Sequence, residues 1–374
     1  MSEQVISPDL NFVKDVIASG GESLKKCYQC STCTVVCNVT PDDKPFPRKE
    51  MMYAQWGMKD KLISNPDVWL CHQCSDCTAY CPRGAKPGEV LGAIRKMTIQ
   101  EYAAPSFLAK MVGDSKYLLL LFALPVLLFG TYLMALGHTS LDAIPRGEDG
   151  SIVYALFMPV FPQIDVTFGA AAFFALVCFI LGVRNYWTAM SAGASTDGDI
   201  VGSTKDTVME ILSHKRFQNC NVTKERSTAH LLVFYAFAGL AVTTTWAIVY
   251  LYGFHRESPY PQYDPMKILG NVSALALLLG ITLVTSNRLK NAEKAGKGSY
   301  FDWLFISIIY GIVLTGILSE VLRLANVAAL AYPVYFVHLV FIFFLFAYAP
   351  FSKMAHMVYR TTAMVFARHT KREG

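Results

Sequence analysis

The chain has 374 residues, of which 53% are hydrophobic and only 16% are charged. Soluble domains usually carry about 25% charged residues, so this composition argues against an ordinary soluble protein and indicates membrane spans. The net charge is +5, and no basic cluster is interleaved with aromatic residues, so no nucleic-acid partner is expected. Because long apolar runs begin only after residue 116, we predict a soluble domain over residues 1–112 and a membrane domain over residues 113–374.

Eight cysteines occur in two copies of the spacing C-x2-C-x2-C-x3-C. The copies comprise Cys27, Cys30, Cys33 and Cys37, and then Cys71, Cys74, Cys77 and Cys81. In two-cluster ferredoxins, three cysteines of such a run hold one [4Fe–4S] cluster and the fourth holds the other. The spacing therefore predicts two [4Fe–4S] clusters, one on Cys27, Cys30, Cys33 and Cys81, the other on Cys71, Cys74, Cys77 and Cys37.

Zinc and disulfides are the alternatives for these cysteines. Structural zinc usually takes two cysteines from each of two hairpins, not three within seven residues. Disulfides require an oxidising compartment, and the polar residues 1–11 contain no apolar region of a cleaved signal peptide. Asn38 stands where the ferredoxin run has proline, whereas the second run keeps Pro82. Neither position ligates iron, so both clusters are still predicted.

The soluble domain is predicted to be helical. Residues 12–26, 48–62 and 89–102 have the apolar spacing of helices, and a turn-rich segment separates the first two. No alternation with a period of two residues is present, which argues against the β-rich bacterial ferredoxin fold.

Six apolar segments approach the ~20 residues that cross ~30 Å of hydrocarbon. They lie near residues 117–136, 166–187, 230–252, 268–286, 303–323 and 334–351. Basic residues concentrate in the segments 188–229 and 287–302 and after residue 351. The positive-inside rule therefore predicts a multi-pass protein of the cell inner membrane, with the N-terminus, the cluster domain and the C-terminus in the cytoplasm.

Four histidines fall at or near the ends of these spans. His230 and His356 lie on the predicted cytoplasmic side, and His255 and His338 lie on the outer side. Ionisable groups at membrane depth are costly and indicate function. His338 and His356 are 18 residues apart, or ~27 Å of helix rise, which leaves room for two stacked cofactors. We predict haem b held between pairs of imidazoles.

The pairing on the outer side stays open. Histidines near a membrane interface can also snorkel without binding anything. His255 lies ~37 Å of straight helix from His230, which is longer than the hydrocarbon core. His138, in the loop after the first span, is a second candidate partner for His338.

Other histidines and cysteines receive simpler assignments. His72, inside the second cysteine run, is predicted to tune a cluster by hydrogen bonding. His214 and His369 are predicted to be solvated loop residues, Cys178 a packed thiol and Cys220 a loop thiol.

Both halves resemble known redox proteins. The runs Cys27–Cys37 and Cys71–Pro82, in a helical setting, resemble the small iron–sulfur subunit of heterodisulfide reductase. The membrane half resembles the cytochrome b subunits of heterodisulfide reductase and respiratory nitrate reductase, in Pro350-Phe351-Ser352-Lys353-Met354-Ala355-His356, in His338 and in Ala229-His230-Leu231. Leu240 stands where that family has a second histidine, so the number of haems, one or two, stays open.

The fusion of both halves is similar to the membrane subunits of quinone-interacting membrane-bound oxidoreductase (Qmo) complexes of sulfate reducers. This resemblance implies an all-α fold, with a helical di-cluster ferredoxin domain followed by a six-helix transmembrane cytochrome b domain. The implied partners are two cytoplasmic flavoprotein subunits akin to the large heterodisulfide reductase subunit, adenylylsulfate reductase and menaquinol. The implied function is electron transfer from menaquinol through haem b and two clusters to the flavoproteins, ultimately to adenylylsulfate reductase in sulfate respiration.

Other functions remain possible on the sequence alone. The chain has no G-x-G-x-x-G after a strand and no Cys-Cys pair, so flavin chemistry is expected in other subunits, while quinol oxidation can take place here. Electrons could instead run toward the quinone, or the chain could be an anchor without a redox role. A proton carrier would need ionisable groups within a span. Glu320 is the main acid within one, with Arg323 one turn away, although an interface ion pair explains both residues more simply.

Overall fold

The computed structural model describes residues 7–192, 194, 198–214, 226–292 and 298–372, and every regular element in these ranges is helical. The predicted all-α class is thereby confirmed. Residues 215–225 and 293–297 of the two basic loops lie outside the described residues, as does Cys220.

The cluster domain is built from short helices around the two cysteine runs. These are α1 (Leu10–Ala18), α2 (Thr32–Val35), α3 (Arg48–Gln55), α4 (Lys59–Ile63), α5 (Asp67–Leu70), α6 (Asp76–Ala79), α7 (Pro87–Tyr102) and α8 (Ser106–Val112). The predicted single helix over residues 48–62 is wrong, because Gly57 breaks it with a φ of 68°. The Gly57 carbonyl accepts the Asp9 amide at 3.0 Å, and a Cβ on Gly57 would lie 2.6 Å from the Asp9 carbonyl oxygen.

The remaining helices are mostly long and apolar. They are α9 (Leu118–Ala135), α10 (Tyr154–Phe157), α11 (Asp165–Ser191), α12 (Ile200–Ser213), α13 (Arg226–Ile248), α14 (Pro265–Lys290), α15 (Tyr300–Leu324), α16 (Ala328–Ala347) and α17 (Ala355–His369). Within the described ranges, six helices are long and apolar enough to cross a membrane: Ser115–Ala135, Val160–Ser191, Ser227–Gly253, Pro265–Lys290, Tyr300–Leu324 and Ala328–Ala347. The six predicted spans are confirmed to this extent.

Neighbouring spans pack through small residues. Helix α13 lies along α14, where Gly239 faces Ser273 and Gly280 faces Val233. A Cβ on Gly239 would lie 2.2 Å from the Ser273 hydroxyl oxygen, and one on Gly280 would lie 2.9 Å from a Val233 methyl. Close backbone approach of this kind is the usual basis of helix pairing in membranes, where burial of apolar surface gives little driving force.

One continuous core joins the cluster domain to the membrane helices. Helix α17, which follows the last span, turns back and packs against α5, α11 and α12. Trp69, Tyr186 and Tyr359, from α5, α11 and α17, are all fully buried at this junction. The division at residues 112 and 113 stays a prediction, but the two parts share a hydrophobic interior.

A buried charge network ties α17 to α5. Arg372 donates from Nε and Nη2 to the two carboxylate oxygens of Asp67, at 2.8 and 2.5 Å. Lys49 donates to the same carboxylate at 2.9 Å. The Asp67 side chain is fully buried, so these cations are needed to compensate its charge.

Glu50 is the second buried carboxyl of this network. Its Oε1 lies 3.4 Å from Lys49 Nζ and accepts from Asn65 at 3.3 Å. Its Oε2 is buried without a partner among the described residues. Burial raises the pKa of Glu50 to about 7 from an ordinary value near 4.5. The folded chain therefore favours the protonated carboxyl more than the unfolded chain does.

We expect Glu50→Gln to stabilise the protein at pH 8 and to have little effect at pH 5. In the wild type, the stability associated with the protonated carboxyl is fully present below pH 4.5 and is lost as the pH rises through about 7. At 1.36 kcal/mol per pKa unit, the full effect is about 3 kcal/mol. The melting temperature of the purified protein as a function of pH measures it. Glu101→Gln, in an exposed pair with Lys59, is the control, and equal pH profiles for Glu50→Gln and the wild type would contradict the expectation.

Candidate redox sites

The two cysteine runs adopt the same local fold. In each run the residues immediately before and after the second cysteine have left-handed backbones, with φ of 62° and 71° at Gln29 and Ser31, and 54° and 69° at Gln73 and Ser75. Each loop is followed by a one-turn helix, α2 or α6. Non-glycine residues rarely adopt positive φ. The same positive φ angles recur at equivalent positions of the two runs. This repetition indicates that each loop turns so that its first three thiols point toward one centre.

The fourth cysteine of the second run lies beside the first run. Burial raises the pKa of Cys33 to about 11, and the neighbouring thiolates of Cys27, Cys30 and Cys81 raise it further. Cys81 also contributes to the raised pKa of Cys27, after burial. The Cys81 sulfur accepts the Ala85 amide at 3.3 Å. The structure thus brings together the four cysteines of the first predicted set.

The second set is assembled in the same way. Burial raises the pKa of Cys37 to about 12, with added contributions from Cys71 and Cys74. Burial also raises the pKa of Cys77, and there the thiolates of Cys71, Cys74 and Cys37 add to the effect. The Cys71 sulfur accepts the Gln73 amide at 3.4 Å. Amide donors to ligand sulfurs are one means by which proteins set cluster potentials.

The donor set fits iron–sulfur clusters better than single ions. In the described part of the chain, no three or more His, Cys, Asp or Glu side chains are close enough to hold one metal ion. The sulfurs around a [4Fe–4S] cubane stand farther apart than the ligands of one zinc, because each binds a different iron. Cluster iron also supplies the positive charge that buried thiolates require.

His356, in the first turn of α17, contacts the segment that precedes the second run. The ring centroids of His356 and Trp69 are 5.3 Å apart, and Trp69 lies two residues before Cys71. Burial lowers the pKa of His356 well below its ordinary value, and the positive charges of Arg95, Lys353, Arg360 and His230 lower it further. His356 is therefore a neutral imidazole, the form that binds metals.

Two arginines donate hydrogen bonds to backbone carbonyls on either side of Trp69. Arg95 donates to the Val68 carbonyl at 2.7 Å and to the Cys71 carbonyl at 2.6 Å. Arg360, one turn after His356, donates to the Cys71 carbonyl at 3.3 Å and to His72 Nδ1 at 3.0 Å. The helix that carries His356 is thus bonded directly to a predicted cluster ligand.

His230 is paired with a histidine that the sequence analysis assigned to solvent. His214 Nε2 and His230 Nδ1 are 3.1 Å apart. His214 is only 7% exposed, so its prediction as a solvated loop residue is wrong. It caps the C-terminus of α12 with a φ of 51° and packs against Phe234. Metal-binding histidines typically bond one ring nitrogen to a neighbour and present the other to the metal, so this pairing suits a ligand role for His230.

His338 is deeper in the bundle than predicted. The sequence predicts His338 at the start of the sixth span, but α16 begins at Ala328 and passes through Pro333, which a membrane helix tolerates. The helix ends at Ala347 and α17 begins at Ala355. His338 and His356 therefore lie on separate helices, so the single straight helix from which the ~27 Å separation was estimated is not present.

The tautomer of His338 follows from its hydrogen bond to Thr315. Thr315 Oγ1 lies 3.0 Å from His338 Nδ1 and donates its own proton to backbone carbonyls of its helix, including Ile312 at 3.2 Å. While the Thr315 proton is directed at its own helix, its oxygen can accept from Nδ1–H, and in that tautomer Nε2 of His338 is the unprotonated nitrogen. His338 thus fits the role of a haem ligand.

The other two candidates lie at the far end of the bundle. His255 is exposed and follows the end of α13, with a φ of 53°. His138 Nδ1 bonds to the Phe157 carbonyl at 2.9 Å. His255 and the partner of His338 stay predictions.

Several residues at these sites are not indicated as site residues by the sequence. Trp69, Arg95, His214 and Thr315 have no motif of their own. The position of Trp69, two residues before a cysteine run, is the one signal that the sequence offered.

Known proteins match the cluster domain and the membrane half of the chain differently. A family profile described as 4Fe-4S dicluster domain matches residues 23–85. The chain is 36% identical over 112 residues to a subunit of the H(2):CoB-CoM heterodisulfide,ferredoxin reductase of Methanothermobacter marburgensis, covering 28% of this chain and 57% of that protein. It is 36% identical over 99 residues to a CoB–CoM heterodisulfide reductase iron-sulfur subunit of Methanocaldococcus jannaschii, covering 24% and 53%. The chain thus spans about half the length of these curated relatives.

These matches confirm the dicluster domain and the similarity to the small heterodisulfide reductase subunit. The similarity of the membrane half to cytochrome b subunits, and of the whole chain to the membrane subunits of quinone-interacting complexes, stays a prediction. No solved structure gives a significant match.

One relative matches nearly the whole chain, whereas the relatives above match only the cluster domain. Citrate utilization protein B of Escherichia coli is 25% identical over 368 residues, covering 94% of this chain and 92% of that protein. The family profile of the same description matches residues 117–374. Because that profile covers more than half of the chain, the protein belongs to the citrate utilization protein B family and carries a 4Fe-4S dicluster domain ahead of its membrane helices.

Proposed function

We propose that this chain is the membrane electron-transfer subunit of a heterodisulfide-reductase-like complex. In this proposal it oxidises menaquinol and delivers the electrons to two cytoplasmic flavoprotein subunits, and through them to adenylylsulfate reductase. The cluster domain, the N-terminus and the C-terminus would face the cytoplasm. The proposal rests on the dicluster domain, the six candidate spans and the placement of the histidines.

The contact between Trp69 and His356 is the observation that carries the proposal. It joins the element that leads into Cys71 to the element that carries a candidate haem ligand, at a ring distance of 5.3 Å. Arg95 and Arg360 fix this junction through the Cys71 carbonyl. Short, rigid separations between redox centres are what a chain of one-electron carriers requires.

In this proposal, histidines and cysteines of the chain would hold the cofactors. His230, His356 and His338 would hold haem b, one or two in number, and the eight cysteines of the two runs would hold the clusters. When bound, these groups supply one-electron carriers between a two-electron quinol and a two-electron flavin. His214 and Thr315 orient the imidazoles of His230 and His338, and burial keeps His356 neutral.

The direct test reduces the purified protein with a menaquinol analogue under anaerobic conditions. We expect the haem α-band to appear, followed by the cluster signals in electron paramagnetic resonance. The absence of any α-band after quinol addition would refute menaquinol oxidation. Haem and iron analysis of the same sample would distinguish a redox subunit from an anchor, since an anchor needs neither.

A second candidate has the same carriers and the opposite direction. The full-length relative in Escherichia coli is named for citrate utilization, and oxidation of a small carboxylic acid by a soluble partner would run electrons toward the quinone. Reduction of the clusters with dithionite, followed by addition of a menaquinone analogue, separates the two. Rapid reoxidation by the quinone combined with slow reduction by the quinol would favour this candidate.

A proton carrier is disfavoured by the bonding of Glu320. Its carboxylate accepts from Lys267 at 2.8 Å, from Arg323 at 3.0 Å and from Gln262 at 2.5 Å. A carboxylate held by two cations links α14 to α15 and is poorly suited to exchange protons. We expect Glu320→Gln to change quinol-dependent reduction by less than about twofold, because it removes a structural charge only. Loss of reduction in a folded Glu320→Gln protein would contradict this and support a proton path, with Glu257→Gln, in the neighbouring loop, as control.

A further inference from the structure

Three aromatic side chains form a closed group where the cluster domain meets the membrane helices. Trp69 stacks on Tyr359 at a centroid distance of 5.7 Å, Tyr359 lies 5.5 Å from Tyr186, and Tyr186 lies 6.5 Å from Trp69. All three are almost completely excluded from solvent. We call Trp69, Tyr186 and Tyr359 the ring cage.

Every side-chain polar atom of the ring cage is buried without a partner among the described residues. Trp69 Nε1, the Tyr186 hydroxyl and the Tyr359 hydroxyl make no hydrogen bond to any described residue. Buried tyrosine and tryptophan side chains usually find a partner, because an unpaired buried donor is costly. Three such donors within one group indicate a bound molecule that offers hydrogen-bond acceptors. The indole N–H can only donate, so a cation does not meet this requirement.

An apolar groove runs along the same two helices. Its cavity volume is about 460 Å³, within the usual size range of ligand sites. It is lined by Phe179, Ile180, Val183 and Trp187 of α11 and Val358 of α17, with Arg184 and Thr188 completing the wall. Since α11 is a candidate span, the occupant of this groove comes from the lipid phase.

The groove and the ring cage lie at adjacent positions of α11 and α17. Val358 of the groove precedes Tyr359 of the cage, and Val183 of the groove follows Gly182. Gly182 lets the Tyr359 hydroxyl approach α11, since a Cβ at Gly182 would lie 2.7 Å from that oxygen. The groove and the cage are therefore at the same level of the bundle, so a molecule with its apolar tail in the groove has its polar head close to the cage.

We propose that the groove and the ring cage together form a quinone site. The isoprenoid tail lies in the groove, and the carbonyl oxygens of the head group accept hydrogen bonds from the Tyr359 and Tyr186 hydroxyls and the Trp69 N–H. Trp69 also contacts His356, so the head group binds one ring away from a proposed haem ligand. This inference rests on the proposed function and adds the location of its substrate.

Binding of a short-tailed menaquinone analogue to the full-length protein in lipid nanodiscs tests the site. Quenching of tryptophan fluorescence and the ligand-induced shift in melting temperature are the two readouts. We expect Tyr359→Phe and Tyr186→Phe each to weaken binding by about fivefold, the value of one neutral hydrogen bond. Val358→Trp fills the groove and should weaken binding of a long-tailed quinone at least as much. Without quinone, the two phenylalanine variants should melt no lower than the wild type, since they lose only an unpaired hydroxyl.

Tyr332→Phe is the matched control. Its hydroxyl is likewise buried without a partner among the described residues, but it lies on α16, outside the cage. If the wild type binds quinone and all four variants bind equally well, the site is refuted while the proposed function stands. If the wild type binds no quinone, the site and the proposed function both fail. Selective loss in the cage and groove variants supports the site.

Discussion

Replacing Cys81 by serine should lower the non-haem iron content of the purified protein from about eight to about four atoms per chain. Cys81 lies with Cys27, Cys30 and Cys33, so its loss opens the first cluster and leaves the second intact. Iron analysis and the disappearance of one of two electron paramagnetic resonance signals measure the effect. We also expect a lower melting temperature, because metal binding and folding are coupled in small metal domains.

Double variants decide whether the fourth ligands are exchanged between the runs. With exchange, Cys27→Ser combined with Cys81→Ser damages one cluster and keeps about four non-haem irons, whereas Cys71→Ser combined with Cys81→Ser damages both clusters. The opposite pattern would show that each run binds its own cluster. Cys178→Ser, a buried thiol of α11 away from both runs, is the control and should keep the full iron content.

His356→Gly should remove a haem and lower menaquinol-dependent reduction by more than about 100-fold. Loss even of outer partners of metal ligands typically costs 10- to 100-fold in affinity or activity, and a direct ligand should cost more. The pyridine haemochrome assay measures haem per chain, and the α-band after quinol addition measures reduction. Adding imidazole to the variant should restore part of the band, because free imidazole can occupy the ligand position.

His369→Gln provides the comparison on the same helix. His369 is also buried, at the last residue of α17, where its ring lies 6.1 Å from that of Trp187, so its prediction as a solvated loop residue is wrong. The His369→Gln variant should keep the haem content and the reduction rate of the wild type. Equal losses in both variants would mean that α17 contributes structure rather than a ligand, and a lack of imidazole rescue would support the same conclusion.

The long apolar helices and the cysteine runs were predictable because each depends on local sequence. About 20 apolar residues identify a span whatever surrounds it, and the spacing Cys27–Cys37 repeats in Cys71–Cys81. The break at Gly57 and the start of α16 before Pro333 were missed, since both depend on partners elsewhere. Gly57 is set by its contact with Asp9, and Pro333 is tolerated because neighbouring helices and local adjustments satisfy the backbone.

The candidate site was less predictable, because it is made by contacts between distant segments. His356 was found from its position, but its neighbour Trp69 is 287 residues away in sequence. His214 has the composition of a loop residue, and only the packing of α12 against α17 and the contact with His230 reveal its burial. Long-range packing of this kind leaves no periodicity or spacing in the sequence.

The pair formed by Arg372 and Asp67 has a consequence for biogenesis. The two residues are 305 positions apart. The ribosome therefore completes the cysteine-bearing region long before it adds Arg372, the residue that binds Asp67. Until residue 372 has been made, the cysteine-bearing region lacks this contact with the C-terminal segment and is accessible to iron–sulfur assembly proteins. Seating of the finished region onto the bundle must come late, after α17 has been made.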